Sequence, residues 1–78
     1  MSKLEAGTTL NSHEKFNWEN CVLCAKPLGA KPSEVLVDGD NKLITSEEYN
    51  SLLNMGQFAS TYPVGSTCVN KFSAEVVA

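Results

Sequence analysis

The chain has 78 residues, which sets the scale at one domain with a small core. With 42 % apolar and 19 % charged residues it is too apolar for wholesale disorder, and no window reaches the ~18 consecutive apolar residues of a membrane span. The formal charge of −3 comes from nine acids against six lysines and no arginine; this argues against a duplex-binding module and is too small an excess for a nucleic-acid mimic.

Residues 1–15 are polar and small, without helical or strand periodicity, and are expected to form a flexible lead; the packed domain is expected over 16–78. The opening residues contain no apolar signal region, so the expectation is a cytoplasmic protein. Phe16 and Trp18 alternate with Asn17 and Glu19, which suits a short strand, with Trp18 as a lid on the core.

The next segment runs Cys21-Val-Leu-Cys24-Ala-Lys-Pro-Leu-Gly29. Two residues between cysteines let both sulfurs converge on one metal, and Pro27, Gly29 and Pro32 stop any helix leaving Cys24. Those breakers oppose a thiol-redox reading, which needs a strand before the Cys-x-x-Cys pair and a helix after it. The Tyr62-Pro63-Val64 run resembles the proline loop of glutaredoxins, but in one dipeptide only. Cys68 makes the cysteine count odd, which disfavours a secreted disulfide framework and favours metal ligation. The plain alternative for Cys68 is a buried, small apolar side chain.

Ser33–Val37 and Lys42–Thr45 are apolar runs flanking Asp38-Gly-Asp-Asn41, which predicts a hairpin over 34–45. The acids there are turn formers. Read as a calcium loop from Asp38, the positions that require glycine and glutamate hold Leu43 and Tyr49. Thr45-Ser-Glu-Glu48 is a capping box opening a helix near 46–55, with Tyr49, Leu52 and Leu53 at helical spacing and Gly56 to end it. Phe58, Ser60, Tyr62 and Val64 alternate as a short strand that Pro63 places at a sheet edge. Gly65-Ser66 should then turn into a C-terminal helix from about 67, with Val69, Phe72 and Val76 on one side and Cys68 in its first turn, where a helix N-terminus favours a thiolate. Trp18, Val35, Val37, Leu43, Leu52, Leu53, Phe58, Val69 and Phe72 are the expected core.

The order of knuckle, hairpin and terminal helix bearing a cysteine resembles a treble-clef zinc finger. The segments Cys21-x-x-Cys24-x-Lys-Pro-Leu and Gly65-Ser-Thr-Cys68-Val-Asn-Lys-Phe72 look like those of small zinc-finger-like proteins common in bacteriophage and prophage genomes. The resemblance spans about residues 19–72, with the helix at 46–55 as an insertion. It implies a small α+β fold holding Zn2+ and says little about function. A treble clef takes two ligands from each half, yet the place for the second C-terminal ligand holds Lys71. Cys21, Cys24 and Cys68 leave a tetrahedral site one ligand short. His13, the one histidine, is the candidate fourth ligand, against the reading that it is a solvated residue of the lead; Asp38 and Asp40 are weaker candidates. A water in fourth place, or a finger that stands without metal, are the remaining readings.

Function follows in three forms. The first is a zinc-stabilised, non-enzymatic module that binds a host or phage protein. The second is nucleic-acid binding through a face made of Lys26, Lys31, Lys42 and Lys71, weakened by the net charge and the missing arginine. The third is thiol-redox catalysis by Cys21 and Cys24. No paired carboxylates, nucleophile–base set or phosphate loop stands at a workable spacing.

Overall fold

A computed structural model describes residues 3–78. It shows a small α+β unit: β1 (Ser33–Asp38), α1 (Ser46–Asn54) and β2 (Ala59–Val64), followed by two short 3-10 turns at Cys68–Lys71 and Ala74–Val76.

β1 and β2 pair antiparallel, with Ser33 opposite Val64 and Asp38 opposite Ala59. Pro63 lies opposite Glu34 and has no N–H to give. The alternation of antiparallel bonding therefore turns the Pro63 carbonyl away from β1, where it accepts the Val22 N–H at 3.0 Å. The other edge of β1 is occupied as well. Its Leu36 and Glu34 carbonyls accept the N–H groups of Ile44 (3.1 Å) and Ala78 (2.8 Å). β2 is thus an edge strand, as its proline predicts, and β1 is interior.

The turn after β1 forms as the sequence implies. Asp38 Oδ1 accepts the N–H of Asp40 (2.9 Å) and of Lys42 (3.0 Å), and Asn41 takes a left-handed φ of 60°. The return arm, however, pairs with β1 only through the bridge between Val37 and Leu43. The long ladder of β1 goes to β2, because the α1 excursion returns the chain antiparallel beside it. The hairpin expected over 34–45 is corrected to that extent.

α1 matches its signals closely. Thr45 Oγ1 accepts the Glu48 N–H at 3.2 Å as the N-cap. At the other end Gly56, at φ 73°, donates to Leu53, and Gln57 donates to Leu52 at 2.8 Å, which is a Schellman stop.

The side chains form two layers of unequal depth. Alternation along β1 sends Val35 and Val37 to one face, where they join Leu10, Cys21, Val22, Leu43, Val64, Cys68, Phe72 and Val76. Leu36 and Ile44 are buried outside that cluster, and α1 packs on both strands without a buried residue of its own.

Four expectations need correction here. Trp18 is 57 % exposed and stacks on Tyr62 with ring centroids 4.8 Å apart, a surface aromatic rather than a core lid. Leu53 and Phe58 are also exposed, and Leu52 and Val69 only half-buried, since α1 covers no second layer. The terminal helix is replaced by the two 3-10 turns. Phe72, extended at φ −105° and ψ 146°, leaves the first turn to bridge Leu4. Finally, the packed unit does not begin at 16. Leu4 exchanges backbone bonds with Lys71 and Ser73, residues 7–10 with residues 41–43, and Leu10 is buried. That segment turns at Ala6–Gly7, where Gly7 takes φ 92° and the Thr8 N–H bonds the Glu5 carbonyl at 3.1 Å, and it has too few apolar positions to show a period.

Candidate metal centre

Residues 20–27 fold into a tight knuckle. The Ala25 N–H reaches the Cys21 carbonyl at 2.8 Å, the Cys21 N–H reaches the Lys26 carbonyl at 2.9 Å, and a bridge between Asn20 and Pro27 closes the base. The reversal requires a left-handed residue, and Ala25 supplies it at φ 58°. The knuckle is fixed from two sides through Val22: its N–H donates to Pro63 of β2, and its carbonyl accepts the His13 N–H at 2.7 Å. No helix leaves Cys24, which agrees with the breakers at Pro27, Gly29 and Pro32.

The third cysteine arrives from the end of β2. Gly65 passes against Cys21, where a side chain at residue 65 would meet the Cys21 Cβ at 3.8 Å, and the Val69 N–H bonds the Gly65 carbonyl at 3.0 Å. That turn delivers Cys68 to the knuckle. The sulfurs of Cys21, Cys24 and Cys68 all lie within 4.8 Å of one another, and the Cys68 thiol donates to Cys24 Sγ at 3.4 Å. Tetrahedral zinc with bonds of ~2.3 Å needs sulfurs ~3.8 Å apart, so small side-chain adjustments reach that geometry. Cys21 and Cys68 are buried and Cys24 half-buried. Three convergent thiols are a soft donor set that can hold a metal ion.

The thiols differ in acidity, and not as expected. Burial pushes the Cys21 thiol up, but the backbone amides of Gly65, Cys24 and Leu23, with the Cys24 thiol, outweigh it and bring Cys21 down to about 7. Cys68 is pushed up to about 12 by burial, by donating to Cys24 and Cys21, and by repulsion from their negative charge. The expectation of a thiolate favoured at Cys68 by a helix N-terminus is corrected. The helix is absent, and the amide-rich environment belongs to Cys21.

His13 is not brought into the cluster. Its backbone binds the knuckle, while its imidazole Nδ1 accepts the Lys15 N–H at 3.1 Å. Among the described residues the cluster of potential ligands is Cys21, Cys24 and Cys68, and His13, the expected fourth ligand, is not part of it. Asp38 and Asp40 are likewise outside it, Asp38 being engaged in its own turn.

A cleft of about 300 Å³ opens over the three cysteines, and Lys26, Lys71, Ser66 and Thr67 are among its other walls. The sequence places the two lysines only on a basic face. Their sequence signal is positional: Lys26 follows Cys24 by two residues and Lys71 follows Cys68 by three, so each rides on a ligand-bearing turn. Among the described residues, no helix is long and apolar enough to cross a membrane. Comparison with protein-family models, with curated proteins and with solved structures finds no match to this chain.

Proposed function

We propose that the protein is a zinc-stabilised, non-enzymatic module that engages a protein partner. The observation that carries the reading is the convergence of Cys21, Cys24 and Cys68 from two chain segments 44 residues apart. Such ligands meet only in the folded chain, so metal binding is coupled to folding. Zinc suits a compact thiolate set without redox demands. The treble-clef resemblance remains a proposal about the fold, since the terminal helix it implies is replaced by 3-10 turns. The accessory role in a phage setting belongs to the same proposal.

The test is metal analysis of protein purified without added metal, followed by affinity capture with wild type and Cys24→Ser in parallel. One zinc per chain, with a defined protein captured by wild type only, supports the reading. Metal-free protein that is fully folded, or capture of nucleic acid that falls steeply with salt, overturns it.

A further inference from the structure

We propose that the cleft over Cys21, Cys24 and Cys68 admits an anionic donor from outside the chain, a carboxylate or a thiolate, as the fourth ligand of the metal those cysteines hold. The inference rests on the metal reading above and deepens it: it assigns the cleft as the contact site and gives the chemistry of the contacting group.

The argument starts from ligand number. A closed structural zinc site takes four protein ligands, whereas an open one takes three plus a ligand from outside. Among the described residues three thiols gather and no histidine or carboxylate joins them. The three sulfurs are also walls of a cleft, so the fourth direction faces space that another molecule can enter. At about 300 Å³ this cleft stands at the small end of ligand sites, sized for a side chain or a chain terminus rather than for a cofactor.

Charge selects the donor. Three thiolates exceed a divalent cation by one negative charge, and an anionic fourth ligand adds another. That is unfavourable unless cations stand close. Lys26 and Lys71 both line the cleft, and no aspartate or glutamate does. The Lys71 position, where a second C-terminal cysteine or histidine would complete a self-contained site, thus supplies positive charge toward an incoming ligand. Ser66 and Thr67, both exposed, add hydroxyl donors on the same wall. A carboxylate enters already ionised. A thiol gives its proton to solvent as its sulfur–metal bond forms and a bound solvent molecule departs.

The experiment uses the full-length protein loaded with Co2+, whose visible bands report coordination. Acetate, 2-mercaptoethanol and, as a neutral control, imidazole are titrated in separate arms. Acetate is expected to shift the ligand-field bands without adding sulfur-to-metal charge transfer, while the thiol adds charge-transfer intensity; a saturable response to either supports the proposal and identifies its source. Lys26→Gln together with Lys71→Gln should weaken the anion response by roughly three- to tenfold while Co2+ affinity and the thiolate charge-transfer band persist. Spectra that are tetrahedral yet unmoved by both anions overturn this inference and leave the metal site standing, with the fourth ligand supplied from within the chain. A response to imidazole equal to that of the anions, or an anion response indifferent to both lysines, overturns the charge argument. Absence of any thiolate charge-transfer band overturns the metal reading itself.

Discussion

The two faces of the β1–β2 sheet are built by different means. On the cysteine face Val35, Val37 and Val64 meet Leu10, Val22, Leu43, Phe72 and Val76 in one continuous cluster, drawn from almost every segment of the chain and closed by three convergent thiols. On the helix face Leu36 and Ile44 are buried, but α1 above them has no buried residue, and Leu53, Met55 and Phe58 remain in solvent. A two-stranded sheet is marginal in water without a layer packed on it. The difference therefore assigns tertiary stability to the cysteine face and leaves the helix to its local signals, the Thr45 cap and the Gly56 stop.

The strongest way to break the comparison is to remove the metal proposed for the three cysteines. Structural zinc contributes ~10–16 kcal/mol of apparent binding energy in peptides that have no fold without it; discounted for the apolar cluster present here, chelation or Cys24→Ser should lower stability by on the order of 5 kcal/mol. Thermal unfolding followed by far-UV circular dichroism checks this, and an unchanged midpoint would remove the cysteines from the account. Acid should do the same by proton competition. Metal binding must expel the thiol protons, so affinity falls as pH falls. Cys21, at about 7, holds its proton increasingly below neutrality, and Cys68, at about 12, must be deprotonated by the metal at any physiological pH. Competition with a chromophoric chelator should therefore strip the protein more readily at about pH 6 than at about pH 8.

Substitution of single side chains sharpens the same contrast. Phe72 is among the largest fully buried groups and sits where the first 3-10 turn meets Leu4. Phe72→Ala should cost ~3–5 kcal/mol. Leu53→Ala, on the exposed side of α1, should change stability by less than ~0.5 kcal/mol. Urea midpoints of the two variants measure the ratio. Comparable losses would mean that the helix face carries more of the core than its exposure allows.

Local signals were legible in the sequence, and long-range partners were not. The Thr45 N-cap, the Gly56 helix stop and the Asp38 turn each describe interactions within a few residues, and each forms where expected. The convergence of Cys68 with Cys21 and Cys24 was legible too, because few residue types ligate metals and spacing constrains them. Burial was harder. Trp18, Leu53 and Phe58 are large and apolar, so composition alone sends them inside, but a chain this short has no second layer to cover them. Leu10 and Val22 went unassigned because their environments arise from pairings of the lead with residues 41–43 and of the knuckle with β2. His13 shows the same limit. Its chemistry suggested a ligand, whereas its backbone N–H on Val22 fixes the knuckle that holds the ligands.

Smaller changes separate the local signals of α1 from the tertiary frame. Thr45→Ala removes the acceptor of the Glu48 N–H and should cost ~1 kcal/mol without altering metal affinity. Helix content and chelator competition on one sample check both halves of that statement. A loss of metal affinity would show the two faces to be coupled through β1.

The finest test uses two residues that meet the same backbone demand with different side chains. Gly56 ends α1 at φ 73° and Ala25 reverses the knuckle at φ 58°, both left-handed. A left-handed conformation costs a residue with a Cβ ~1–2 kcal/mol, while glycine gives back ~0.4–1 kcal/mol through the greater freedom of its unfolded chain. Nothing lies within 4 Å of a Cβ placed on Gly56, so conformation alone sets the penalty, and Gly56→Ala should destabilise by ~0.5–1 kcal/mol. Ala25→Gly reverses the sign. The gain is trimmed by loss of a half-buried methyl, worth at most ~0.4 kcal/mol, which leaves a net stabilisation of a few tenths. Chemical denaturation of both variants at one saturating metal concentration reads the Ala25 change, and chelator competition on the same samples shows whether metal affinity moves with it. If Ala25→Gly proves destabilising by as much as Gly56→Ala, the methyl packs against the cluster more than its exposure indicates. The knuckle is then held by its apolar contacts, and its backbone strain is not what separates it from the helix stop.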